Sequence, residues 1–315
     1  MTDIEILSVA NPPPFLLEPL QAKYLVHQRL HESDPAAFSK VAAKIRAIAA
    51  SGESKVGAEL IAQLPALEVI SVMGVGYDGI DVAAAKARGV VVTHTPAVLN
   101  DDVADLALAL MLAWSRQLAR ADRFVRAGEW PKGPLPLGRK MSGARLGIVG
   151  MGRIGQAIAQ RAAAFGMTIA YTARSAKAEL PHTYLPDAAA LAAQSDFLVV
   201  ITPGGAGTHH LIDAAVLAAL GPQGCLVNVA RGSVVDEAAL IDALRSGAIA
   251  GAALDVFESE PNVPQALREM DQVVLTPHIG SATAQTRRAM AALAFDNLDA
   301  KLSGQPVLTP VPECQ

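Results

Sequence analysis

Short apolar runs recur along the chain, each closed by Gly, Pro or a charged residue. In the first third these runs are "IEILSVA", "IRAIAA", "LEVISVM" and "VVVTH". Their length and their richness in Val and Ile predict buried β-strands. Between the last two, "DVAAAKARG" reads as a short helix with Asp81 as N-cap and Gly89 just past its end. After "THTPAVLNDD" the pattern turns helical and predicts one long helix over residues 101–127, with Asp101, Asp102 and Asp105 in its first turns, where the helix dipole favours anions. The loop "GEWPKGPLPLG" interrupts the pattern. A second series follows, with strands predicted at "RLGIV", "TIAYTA", "FLVVIT", "CLVNVA", "AALDVF" and "VVLTP". One intervening helix, "DEAALIDALRSG", carries Asp236 as N-cap and Gly247 as stop, and "TAQTRRAMAALAFDNLDAKLSG" predicts a closing helix. Strand and helix alternate almost throughout, which argues for an α/β fold built on parallel sheets.

Length adds a domain count: 315 residues suggest two domains of roughly 150 each. Half the chain is hydrophobic (51%) while aromatics reach only 4%, so two cores built from small aliphatic side chains are expected. A net charge of −4 without any Lys/Arg run argues against nucleic acid or a charged membrane surface as partner. The longest apolar stretch, "LALALMLAW", is too short to span a bilayer and reads as a buried helix. No secretory signal is legible in "MTDIEILSVANPPP", so a cytoplasmic location is expected. Cys225 and Cys314 have no metal or redox spacing and read as reduced thiols, one in the core and one in the tail.

The segment "GIVGMGRIGQ" places Gly150, Gly152 and Gly155 in G-x-G-x-x-G spacing between a strand and a helix. The first glycine permits a tight turn, the second lets backbone approach a pyrophosphate at the helix N-terminus, and the third lets helix pack on strand. In such dinucleotide-binding units an acid about 20 residues further on holds the adenosine ribose. Here no carboxylate occurs between Gln156 and Ala178, and Arg174, Ser175 and Lys177 stand in its place. A carboxylate would repel a 2′-phosphate, whereas a guanidinium fork, a hydroxyl and an ammonium would hold it. NADP(H) is therefore expected over NAD(H). The competing reading is a solvated loop that has merely lost its acid.

Three further strands end in reactive side chains: "LVNVARGSVVDE" with Arg231, "AALDVFESEP" with Asp255, Glu258 and Glu260, and "VVLTPHIGSAT" with His278. Ligands of open α/β sheets bind beyond the carboxyl ends of strands. An Arg, a carboxylate and a His converging there suit hydride transfer at a carbonyl. Taken singly, each could be a surface ion-pair partner or a loop residue.

In this order, "GMGRIGQ", "NVARGSVVDEAAL", "LDVFESEP" and "TPHIGSAT", with "VMGVGYDGID" before them, resemble the D-isomer-specific 2-hydroxyacid dehydrogenases over nearly the whole chain. The "ARSAK" variant resembles the NADPH-dependent glyoxylate/hydroxypyruvate reductases of that family. The resemblance implies two Rossmann-like domains with an interdomain active-site cleft. One would be a flavodoxin-like substrate-binding domain, 1–99 plus 284–315, and the other an NADP(H)-binding Rossmann domain, 100–283, with the long helix helping to form a homodimer. It implies reduction of small 2-oxo acids such as glyoxylate and hydroxypyruvate to D-2-hydroxy acids, with NADPH and no metal. In that scheme Arg231 holds the substrate carboxylate and carbonyl, and His278 donates the proton. Glu260 orients His278 and, by sign, favours its charged form. Val75 and Gly76 grip the substrate carboxylate through backbone N–H groups. Cofactor contacts carry over to Gly150, Gly152, Arg153, Ile154, Gly155, Arg174, Ser175, Lys177, Thr202, Pro203, Ala230, Asp255, His278 and Gly280. In the loop after the long helix, Pro136 stands near the position where some glyoxylate reductases carry an aromatic residue that reaches across the dimer, with Trp130 a few residues earlier. Hydroxyphenylpyruvate or 2-ketogluconate reduction, or a dinucleotide-sensing corepressor, are the alternatives.

Overall fold

The computed structural model describes residues 3–315. The chain divides into two compact units, Met1–Leu99 with Thr283–Gln315 and Asn100–Ala282.

The first unit holds β1 (Glu5–Ser8), β2 (Leu25–Gln28), β3 (Ile45–Ser51), β4 (Val69–Met73) and β5 (Val91–Thr93) in one sheet of order β2-β1-β3-β4-β5. Every pairing is parallel. This is the 2-1-3-4-5 doubly wound order, which reverses direction between β1 and β3. Leu7, Ile48, Ile70, Val72 and Val92 are buried in its core. The closing helix Ala284–Leu302 packs on this sheet, and the Ser71 hydroxyl donates to the Ala294 carbonyl at 2.7 Å. Asp81 caps its helix by accepting from Ala84 N at 2.8 Å, and Gly89, at φ +72°, ends that segment.

The second unit holds β6 (Arg145–Val149), β7 (Thr168–Thr172), β8 (Thr183–Tyr184), β9 (Phe197–Val200), β10 (Cys225–Asn228), β11 (Gly251–Leu254) and β12 (Val273–Leu275). Their order is β12-β11-β10-β9-β6-β7-β8, again all parallel. Counted within the unit this is 3-2-1-4-5-6 with one strand added, the dinucleotide-binding order with its switch point between β6 and β9. Asp236 accepts from Ala239 N at 2.9 Å as N-cap, and Gly247 closes the helix at φ +73°.

Two short edge strands, β2 and β8, carry no alternating apolar pattern and are not legible in the sequence. The expected long helix over 101–127 is a correction: the structure has two helices, Asn100–Ser115 and Leu118–Arg126, with Gln117 left-handed at φ +53° between them. The cause lies farther along the chain. The Ser115 carbonyl, which a continuous helix would bond to the N–H four residues on, accepts instead from Arg139 N at 2.7 Å. Gly138 makes that approach possible, since a Cβ there would lie 2.5 Å from the Ser115 oxygen.

Candidate active site

The fingerprint turn follows β6 at the switch point. Gly150 adopts φ +106°, and a Cβ at Gly155 would lie 2.1 Å from the Gly150 oxygen, so the helix Arg153–Ala163 can sit against the turn only with glycine at that position. Arg153 and Ile154 open this helix, and Gly152 is its N-cap without any side-chain cap. The first N–H groups of the helix therefore lack partners within it. A Cβ built on Gly152 would meet nothing within 4 Å, so the uncapped positive end faces open space. That is the requirement for a diphosphate to approach, and these residues fit a dinucleotide.

Arg174 and Ser175 are exposed and Lys177 half-buried just past β7. The buried Tyr171, 1% exposed, anchors this turn: Lys177 N donates to its hydroxyl at 2.7 Å. Neither Arg174 nor Lys177 has an ion-pair partner among the described residues. Two cations not neutralised by the protein suit an anion from outside. Thr202 and Pro203 follow β9, where the Thr208 hydroxyl donates to the Pro203 carbonyl at 2.7 Å and closes the loop.

Arg231 and Ala230 follow β10. Asn228, 1% exposed, holds this turn from both sides: its amide donates to the Arg231 carbonyl at 3.0 Å and its oxygen accepts from Ala230 N at 3.0 Å. The Arg231 guanidinium donates to the Ala230 carbonyl at 2.8 Å. Gly232 next to it brings this turn against the loop after β11, since a Cβ there would stand 1.9 Å from the Phe257 carbonyl carbon.

Asp255 is 1% exposed, yet its carboxylate accepts three hydrogen bonds, from Thr276 Oγ1 at 2.6 Å, Ile279 N at 2.8 Å and Gly280 N at 2.8 Å. Burial raises its pKa, against the lowering effect of those donors and of nearby His278. The bonds lock the segment carrying His278, whose backbone takes the uncommon left-handed φ of +52°. Glu260 accepts from Phe257 N through Oε1 at 2.9 Å and meets His278 Nδ1 through Oε2 at 2.7 Å. An ionised carboxylate only accepts, so Nδ1 carries the hydrogen, and proton donation to a ligand would run through Nε2.

The structure thus brings Arg231, Asp255, Glu260, His278 and Gly280 to neighbouring strand ends of one sheet, with the fingerprint at the switch point of the same sheet. Val75 and Gly76 belong to the other unit. They form the turn after β4, with the Val75 carbonyl 2.9 Å from His94 Nδ1. Their N–H groups have no protein acceptor among the described residues. Sequence reasoning did not single out Tyr171, Asn228 or Thr276. The only signal was a polar residue near the end of an apolar strand or just after it.

Residues 108–280 match the profile of the D-isomer specific 2-hydroxyacid dehydrogenase, NAD binding domain. The chain is 49% identical over 267 residues to a glyoxylate/hydroxypyruvate reductase A of Arabidopsis thaliana, covering 85% of each chain. It is 44% identical over 307 residues to a 2-ketogluconate reductase of Gluconobacter oxydans, covering 98% of each. Among solved structures it resembles an NADPH-dependent glyoxylate/hydroxypyruvate reductase of Sinorhizobium meliloti in complex with NADP and malonate, with TM-score 0.94, 45% identity and 99% and 98% of the two chains covered. The protein belongs to the D-isomer-specific 2-hydroxyacid dehydrogenases and carries their dinucleotide-binding domain.

Proposed function

We propose that the protein is an NADPH-dependent reductase of 2-oxo acids, yielding D-2-hydroxy acids, with glyoxylate and hydroxypyruvate among its substrates. The observation that carries this reading is the 2.7 Å contact of Glu260 with His278 Nδ1, on the sheet that also presents Arg231. The relatives named above support the substrate class. When bound, the dinucleotide supplies the hydride that adds to the substrate's carbonyl carbon. Arg231 holds the carboxylate and polarises the carbonyl oxygen, on which negative charge develops. His278 gives that oxygen its proton from Nε2. Glu260 keeps the imidazole oriented and balances its charge. Val75 and Gly76 would add two backbone N–H donors to the carboxylate. Asp255 would meet the nicotinamide carboxamide with the remaining acceptor capacity of Oδ2, while Thr202, Pro203 and Ala230 would flank the cofactor.

Preference for NADPH rests on Arg174, Ser175 and Lys177 and on the absence of a carboxylate beside them. In this scheme Asn100–Ala282 binds NADP(H), and Met1–Leu99 with Thr283–Gln315 binds substrate.

A homodimer is supported by apolar exposure within one short segment: Leu118 52%, Val125 55%, Trp130 68% and Leu137 97% exposed. Covering these by a second copy would remove them from water. Both cysteines are free thiols, in keeping with a cytoplasmic location. No helix among the described residues is long and apolar enough to cross a membrane.

The test is a panel of 2-oxo acids assayed for NADPH and NADH consumption. Rapid NADPH oxidation with glyoxylate or hydroxypyruvate is expected. Tight NADPH binding without turnover of any 2-oxo acid would instead favour a dinucleotide-sensing module.

A further inference from the structure

The Asn100–Ala282 unit carries a second cluster of chemistry-bearing side chains, which hydride transfer does not use. His209 and His210 lie between β9 and the helix Ala214–Leu220, and Glu258 lies just past β11. The two imidazoles stack with centroids 3.9 Å apart and planes 25° from parallel. One ligand atom from each of His209, His210 and Glu258 falls within 4.8 Å of the other two.

Backbone bonds fix where the histidine pair sits. His210 N donates to the Ser233 carbonyl at 2.9 Å, Ile212 N to the Val234 carbonyl at 3.0 Å, and Asp236 N to the Ile212 carbonyl at 3.0 Å. Held this way, His210 takes a left-handed φ of +50°. The two nitrogens of its ring face different carboxylates. Nε2 lies 3.3 Å from Glu258 Oε1, and Nδ1 lies 3.9 Å from Asp236 Oδ2. Asp236 caps its helix through Oδ1, so Oδ2 is left to the histidine.

These spacings suit a shared cation better than a hydrogen bond. An N–H···O bond closes to about 2.9 Å. Two ligands of a tetrahedral zinc ion, each about 2.0–2.2 Å from the metal, stand about 3.4 Å from one another. The 3.3 Å between His210 Nε2 and Glu258 Oε1 matches the second figure. His209 and Glu258 are exposed, so rotation of their side chains can bring the third ligand atom to the same spacing. Two imidazoles and one carboxylate are a donor set of zinc sites whose fourth position holds water. A carboxylate behind the other ring nitrogen, as Asp236 stands here, fixes the tautomer of a ligating histidine. An anion does not suit the cluster, because Glu258 N lies 3.4 Å from a further carboxylate, Glu237 Oε2. Mg2+ and Ca2+, which take oxygen ligands, do not suit two imidazoles.

We propose that His209, His210 and Glu258 form a binding site for Zn2+ or a cation of like ligand preference, with Asp236 orienting His210. The ion ties the loop after β9, which carries Thr202 and Pro203, to the loop after β11, which carries Glu260. It stands outside the reduction chemistry, which needs no metal.

The test is competition for Zn2+ between the tag-free protein and a fluorescent zinc chelator, with NADPH oxidation by glyoxylate followed on metal-free samples of each variant. Wild type should take up one equivalent of Zn2+, and excess Mg2+ should not displace it. His209→Ala and Glu258→Gln should each weaken that uptake by at least about 10-fold, since losing even an outer partner of a metal ligand costs that much. Asp236→Asn, which keeps the helix cap, should weaken it by about 10-fold. Metal-free activity should be unchanged in His209→Ala, which shows that the fold is intact. A wild type that takes up no Zn2+, displacement by Mg2+, or uptake by His209→Ala and Glu258→Gln equal to wild type overturns the site. None of these results touches the reductase reading, which fails only if wild type reduces no 2-oxo acid.

Discussion

The two parallel sheets end in opposite ways. At the carboxyl edge of β10, β11 and β12 the reactive groups are fixed by hydrogen bonds within the protein: Asp255 is held by three donors, His278 by Glu260 at 2.7 Å, and the Arg231 turn by Asn228. At the carboxyl edge of β1, β3 and β4 lie a cavity, two N–H groups with no protein acceptor among the described residues, and Arg287. The contrast separates two tasks. Moving a proton and a hydride needs side chains already held in one geometry, because their reorganisation would add to the barrier. Choosing among substrates needs polar groups left waiting for the ligand. One sheet architecture serves both, and the loops beyond its strands decide which.

The comparison breaks first at His278. His278→Asn should lower turnover by about 10²–10⁴, the usual contribution of general acid–base catalysis, while NADPH affinity measured by fluorescence titration barely moves. Near-normal turnover would remove His278 from the mechanism. Arg174→Asp should shift the NADPH/NADH preference in kcat/KM by about 10- to 100-fold, the worth of one or two hydrogen bonds to a charged group. If the preference stays put, the reading of "ARSAK" as a 2′-phosphate site fails.

Glu260→Gln should reduce turnover by about 10-fold and move the alkaline limb of the reductive pH profile to lower pH. The sign follows from charge: the carboxylate favours the protonated imidazole, reduction needs that form, and the neutral amide withdraws the support. A limb that stays fixed, or moves up, contradicts the pairing.

Asp255→Asn tests the rigid edge itself. Its amide would turn a donor toward one of three donors, so a loss of about 1–3 kcal/mol in denaturant unfolding is expected. The pH dependence has a defined sign. Because burial raises the Asp255 pKa, the folded chain binds its proton more tightly than the unfolded chain. This group's contribution to stability is complete below the ordinary carboxyl value of about 4 and is lost as pH rises through the raised one. Asp255→Asn should abolish that segment of slope, and an unchanged slope would mean the carboxyl is not perturbed.

Much of this was legible in the sequence because it is local. The fingerprint glycines, the capping aspartates Asp81 and Asp236, and the reactive residues ending "NVARG", "LDVF" and "TPH" are all set by neighbours a few positions away. Part of what escaped depends on contacts between distant segments. The break at Gln117 is caused by Arg139, 22 residues on. Thr276 reads as an ordinary polar residue after a strand until the fold brings it to Asp255, 21 residues away, while Tyr171 and Asn228 hold turns only six and three residues on, a role their residue types do not announce. Strands β2 and β8 stay silent because an edge strand of two to four residues needs no apolar alternation.

A crystal structure of the protein with NADP+ and oxamate, which mimics a small 2-oxo acid, tests the whole account most directly. The expected density has the Arg174 guanidinium on the 2′-phosphate, the Arg231 guanidinium on the oxamate carboxylate and His278 Nε2 within hydrogen-bond reach of the carbonyl oxygen. Either guanidinium turned away from its anion would contradict it.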